Sequence, residues 1–207
     1  MSATRGRAWI LGGLLAAILA SGCTHVVTFP DHMVGQYPSS PEKLPMSVVL
    51  IVSEELRNAK WVRPAITPIG DTFVVPVGEQ LALNSEALAR RVFRTVSVRQ
   101  GSDSGTVPAQ EDALLIPKVI FLEQSAGVTA FSDAVYTVAV EWSLKTASGS
   151  IIWVDTVKGE GRTKDGNVFT MWDNMKERAR LALDDLFLKS FRAMTTARPI
   201  QELAKQK

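Results

Sequence analysis

The chain has 207 residues, 46% hydrophobic and 21% charged, a globular rather than disordered composition with enough apolar material for one sizeable core. Its 23 basic and 21 acidic residues give a formal charge of +2, far from the strongly basic balance that nucleic-acid binding demands. One cysteine allows no disulfide within the chain and no thiolate metal cluster.

Arg5 to Cys23 reads RGRAWILGGLLAAILASGC: two arginines, an apolar run of 13 residues from Ala8 to Ala20, then Ser21-Gly22-Cys23. A charged start, a short hydrophobic middle and a small-residue exit are the parts of a secretory signal. The run is shorter than the roughly 20 residues a membrane-spanning helix needs. Its ending, Leu19-Ala20-Ser21-Gly22-Cys23, resembles the lipobox of bacterial lipoproteins. The resemblance implies cleavage between Gly22 and Cys23, a lipid on Cys23 and a fatty acyl group such as palmitate on the new N-terminus. The mature chain would then have 185 residues, and the loss of Arg5 and Arg7 would leave 21 basic against 21 acidic side chains. In that family an aspartate after the cysteine often signals inner-membrane retention. Thr24 at this position implies the periplasmic face of the outer membrane.

Residues 24–45, THVVTFPDHMVGQYPSSPEKLP, carry Pro30, Pro38, Pro41, Pro45 and Gly35, which interrupt every periodic pattern. Such a segment reads as an extended linker, and at about 3 Å per residue it would reach on the order of 60 Å from the lipid. Both histidines, His25 and His32, fall in it and read as solvated, with no partners converging to hold a metal.

A single α+β domain is expected over residues 46–197. Ser47–Ser53, SVVLIVS, is a continuous apolar run that suits a strand covered on both faces. Residues 54–64 are polar, a turn or short helix, and Pro64, Pro68 and Gly70 mark a loop. Thr72–Val77 is a short strand that Pro76 makes an edge or a strand end. Gly78–Phe93 has helical spacing, with Leu81, Ala82, Ser85, Leu88, Ala89 and Val92 near one face. The strand Thr95–Arg99 and a polar loop, 101–112, follow.

Three strand signals come next: Ala113–Glu123, Ala134–Thr146 and Ile151–Lys158. The middle one alternates, with Tyr136, Val138, Val140, Trp142 and Leu144 on one side. Residues 147–150, with Gly149, form a tight turn, and Gly159, Gly161 and Gly166 mark a loop. A last helix over 168–193 shows Met175, Ala179, Ala182, Leu183, Leu186, Phe187 and Phe191 on one face, with Val168 and Trp172 before them. Pro199 ends it, and residues 198–207 read as a flexible tail.

The order predicts a mostly antiparallel sheet of five to six strands with two main helices packed on one face, and a partly apolar open face. With Gly149–Trp153, GSIIW, before the last strand, this order resembles two groups of envelope lipoprotein domains. One is the Tol-translocation-like domain also seen in curli-secretion-type lipoproteins. The other is the lipopolysaccharide-assembly lipoprotein that plugs an outer-membrane barrel.

The expected domain has no histidine, no nucleophile elbow and no P-loop, so serine or cysteine triads and phosphate cradles are not readable. Glu54-Glu55 follow a strand end and Asp184-Asp185 lie side by side on a helix, about 100° apart. No cofactor is implied. Two stretches suit partner contact: Arg57, Lys60 and Arg63 around Trp61, which as one helical turn would gather three cations, and the 125–133 loop with Val128 and Phe131.

These features indicate a lipid-anchored, non-enzymatic periplasmic protein, an accessory or adaptor in envelope assembly or transport with an envelope protein partner. The alternatives are a lipid- or lipopolysaccharide-binding module and a carboxylate-dependent wall hydrolase. Cys23→Ser should release the protein from membranes or leave it unprocessed. Unchanged membrane fractionation with a cleaved, unlipidated N-terminus refutes the anchor.

Overall fold

The computed structural model describes residues 24–29, 42–63, 72–101, 110–125, 132–146, 148–164 and 171–206. The elements in order are β1 (Thr24–Val26), β2 (Leu44–Val52), α1 (Glu54–Arg57), β3 (Lys60–Arg63), β4 (Thr72–Pro76), α2 (Gly78–Val92) and β5 (Phe93–Gln100). There follow β6 (Ala113–Ser125), β7 (Asp133–Thr146), β8 (Ile151–Lys164), α3 (Met171–Thr196) and α4 (Arg198–Ala204).

Two sheets form: a five-stranded one in the order β5-β2-β6-β7-β8 and a three-stranded one in the order β1-β4-β3. This is the α+β class the sequence predicts. Antiparallel pairing holds the β6-β7-β8 meander together, whereas β2 is parallel to both its neighbours. A strand buried on both faces suits that place. Val48, Leu50 and Val52 join the main core, and Val49 and Ile51 join Leu114 and Ile116 in a second buried cluster. Helices α2 and α3 contribute to the one main core. On α2 the predicted face, Leu81, Ala82, Ser85, Leu88, Ala89 and Val92, is the buried one.

The alternation read in β7 also holds. Tyr136, Val138, Val140, Trp142 and Leu144 are all buried. The Trp142 indole donates to Ser190 Oγ at 2.9 Å and meets the Phe187 ring edge-on. Its polar atom is thus satisfied inside the core, where an unpaired one would be costly. The hairpin turn after β7 sets Gly149 at φ 84°, a conformation glycine adopts without strain.

Three expectations are corrected. Gly159 and Gly161 lie not in a loop but inside β8, which runs to Lys164. They are the contact with α3: a methyl on Gly161 would sit 1.8 Å from the Arg178 carbonyl oxygen, and one on Gly159 2.1 Å from that of Ala182. The helix backbone therefore rests directly on the strand, and no side chain fits between them. Second, residues 198–204 are helical rather than a loose tail. Pro199 stands in the first turn of α4, where a missing N–H costs nothing, and Ile200 and Ala204 are buried. Third, the linker does not begin at Thr24. Thr24, His25 and Val26 pair in parallel with Thr72, Phe73 and Val74. Val27 is buried and donates its N–H to the Val74 carbonyl.

Trp142→Ala should cost about 3–5 kcal/mol, a large share of a domain's usual stability. A melting temperature that does not move would contradict the packing described.

Candidate functional site

Strand β2 stops at Val52, while β6 beside it continues to Ser125. Their ladder pairs Val48 to Leu50 with Ala113 to Leu115, and Pro117 has no N–H to extend it. In the place β2 vacates, Ser53 caps α1, its hydroxyl accepting from Leu56 N at 3.1 Å. The resulting step holds two adjoining grooves. One, about 410 Å³, is lined by Ser53, Glu55, Leu56, Lys60, Lys118 and Leu122 among others. The other, about 530 Å³, has Ile51, Ile116 and Pro117 with Glu54, Glu55 and Lys118. A crevice at the carboxyl end of a strand with parallel neighbours on both sides is where open sheets commonly take their ligands. Sequence reasoning missed Lys118. Its signal was a lone cation following Pro117 in an apolar strand.

The predicted patch of three cations does not form. Residues 57–63 are not one helical turn: Arg57 ends α1, and Lys60–Arg63 is β3. Arg57 pairs with Glu79 at 3.2 Å. Strand geometry then puts Lys60 and Val62 on one face of β3 and Trp61 and Arg63 on the other. Trp61 is half-buried and meets the Tyr136 ring edge-on at 6.2 Å. The Arg63 guanidinium lies 5.9 Å from the centre of the Phe73 ring. His25 stacks on the same ring at 5.8 Å, so it is part of the small sheet and not a solvated linker side chain. Lys60 is left on the wet side, at the mouth of the smaller groove.

Other candidates lie apart. Glu54 and Glu55 are consecutive and exposed in α1. Asp184 pairs with Arg180, and burial holds its carboxyl above the usual range against the opposing pull of that guanidinium. Asp185 pairs with Lys189 at 2.6 Å and accepts the Glu160 N–H at 3.0 Å; Lys189 donates to the Lys158 carbonyl. Asp185 therefore serves the α3–β8 contact, while the ion pair of Asp184 stays within α3. Gly22, Cys23, His32, Val128 and Phe131 lie outside the described residues.

Beneath Trp61 the Tyr136 hydroxyl is buried with no hydrogen-bond partner among the described residues, and burial pushes its pKa well above the usual tyrosine value. Tyr136→Phe should therefore be neutral or stabilising, by up to about 1–3 kcal/mol. A raised folded pKa gives stability that is complete below the unfolded value near 10 and is lost as pH rises beyond it. Comparing urea unfolding of the two proteins from pH 8 to pH 11 checks both points: the wild type should lose stability above pH 10 more steeply. A large destabilisation by Phe at pH 7 would mean the hydroxyl has a partner.

No protein-family model matches the sequence, and no curated protein is similar to it. In structure the chain is similar to a Xanthomonas campestris protein of the DUF330 family, with a TM-score of 0.51 at 10% identity over 82% of this chain and 93% of that one. It is less similar to a minor lipoprotein from Acinetobacter baumannii, with a TM-score of 0.45 at 13% identity over 73% and 92% of the two chains. A lipoprotein from Neisseria meningitidis gives 0.36 at 15% identity over 61% and 90%. What is shared with the Xanthomonas protein at this identity is the fold.

Proposed function

We propose that this chain is a lipid-anchored periplasmic lipoprotein of the outer membrane, acting as a non-enzymatic accessory or adaptor in envelope assembly or transport. The lipobox-like ending at Cys23 supports the anchor. The observation that carries the reading is the junction after it: Thr24 already pairs with Thr72, so a lipid on Cys23 would be joined to the folded domain with no tether between. An adaptor that must present one surface gains from such a junction, because a free tether would let it tumble.

The interior supports an adaptor over a lipid carrier. Between the large sheet and α3, the space is filled by Trp142, Leu144, Leu186 and Phe187, all buried. The step at the end of β2 is the surface we assign to the protein partner, with Lys60 and Lys118 as its exposed cations.

Cross-linked, detergent-extracted protein should bring down one envelope component in fixed stoichiometry. Lys60→Glu with Lys118→Glu should weaken its capture by about tenfold or more at low salt and less at high salt, since screening removes the difference. Melting should be unchanged, as surface substitutions usually cost less than about 0.5 kcal/mol. Equal capture at every salt concentration would place the interface elsewhere. Release of wall glycan fragments by the purified protein would overturn the adaptor reading itself.

A further inference from the structure

We infer that the outer face of the three-stranded sheet lies against the bilayer surface, with a row of three valines set into the headgroup region of anionic lipid. The inference rests on Cys23 carrying the lipid and adds which side of the domain meets the membrane.

Two observations carry it. The first is chain length. Thr24 is hydrogen-bonded into the sheet beside Thr72, and one peptide unit spans about 3.8 Å, so a lipidated Cys23 cannot leave the sheet's edge. The extended reach of a 22-residue linker is not available to it. Of all the described surfaces, the small sheet is the one held at the anchor.

The second is what that sheet shows to solvent. Val26 pairs with Val74 across β1 and β4, and Val62 pairs with Val74 across β3 and β4, so the three stand side by side. Residues in direct register share a face. The opposite face, with Phe73 and Val75, belongs to the core. Val26 is 55% exposed and Val62 42%, among the most exposed large hydrophobic residues described. The other described positions on this face are Thr24, Thr72, Pro76 and Lys60. None is acidic, as an anionic lipid surface requires, and Lys60, at the end of the row beside the smaller groove, stays with the partner surface assigned above. The lipid holds the chain at the membrane, and an apolar face beside it adds a contact that fixes its orientation.

A fluorophore tests this. If Cys23 is lipidated, Val62→Cys supplies the one free thiol, so a water-sensitive dye such as NBD can be attached at that position. Val154→Cys, exposed at the far end of the meander, serves as the control. The full lipidated chains are reconstituted into vesicles of phosphatidylethanolamine and phosphatidylglycerol, and the mass of the N-terminal peptide is read from the same sample. With the acyl mass present, a lipid-borne nitroxide quencher should cause a loss of fluorescence at position 62 and leave position 154 unchanged. Adding Val26→Asp should abolish that loss. Equal, water-like signals at 62 and 154 on an acylated chain overturn the seating while the lipoprotein reading stands. Position 62 shielded from aqueous iodide yet beyond reach of the nitroxide means a protein covers the face, which also overturns it. An N-terminal peptide without acyl mass removes the lipoprotein reading and the seating with it.

Discussion

Burial of β2 on both faces is the constraint to which the other elements answer. A run of Val48 to Val52 with no polar side chain cannot border water on either side, so the strand must sit inside a sheet. It has β5 on one side and β6 on the other, both parallel to it. Parallel neighbours demand crossover connections, and the chain between β2 and β5 supplies one containing α1, the small sheet's β3 and β4, and α2. The step beyond Val52 follows from the same fact. β6 outlasts its neighbour, and α1 and β3 occupy the vacancy without filling it.

At the other end of the large sheet the constraint is backbone on backbone. Gly159 and Gly161 let α3 settle onto β8, and the small Ala179 and Ala182 face the same way. Asp185 and Lys189 then occupy the Glu160 N–H and the Lys158 carbonyl, groups that an outer strand would otherwise present to another chain. Close packing and a guarded edge thus come from one helix.

Much of this was legible where a single periodicity governed a whole element. The α2 face, the β7 alternation and the apolar run of β2 each report burial directly, because side-chain direction follows the backbone period. Legibility failed where a residue acts through what it lacks. Glycines in β8 read as a loop, since glycine usually marks turns and its use as a contact surface depends on a helix more than ten residues away. Pro199 read as a terminator, although the same ring is well placed to begin a helix, and the spacing of Ile200, Leu203 and Ala204 was the signal for one. The Arg57–Arg63 cations were gathered by assuming a helix. Val62 and the aromatic Trp61 instead favour extended chain, and pairing with β4 settles the segment as β3. β1 was hidden because three residues carry no readable period, and its partner lies far along the chain.

The sequence distance between β2 and its second neighbour has a cost in time. The Asp112 N–H reaches back 65 residues to the Ser47 carbonyl, and the ladder beyond it cannot exist until β6 has been made. A chain that emerges N-terminus first therefore exposes Val48-Val49-Leu50-Ile51-Val52 long before either flank of that strand can be closed. Such a segment, β-prone and uncharged, is the kind that pairs with copies of itself while it waits. Helix α2 and the small sheet, made in the interval, can shield only the side that includes Val48, Leu50 and Val52. Until the meander arrives, the nascent chain therefore carries its most pairing-prone segment with one side uncovered.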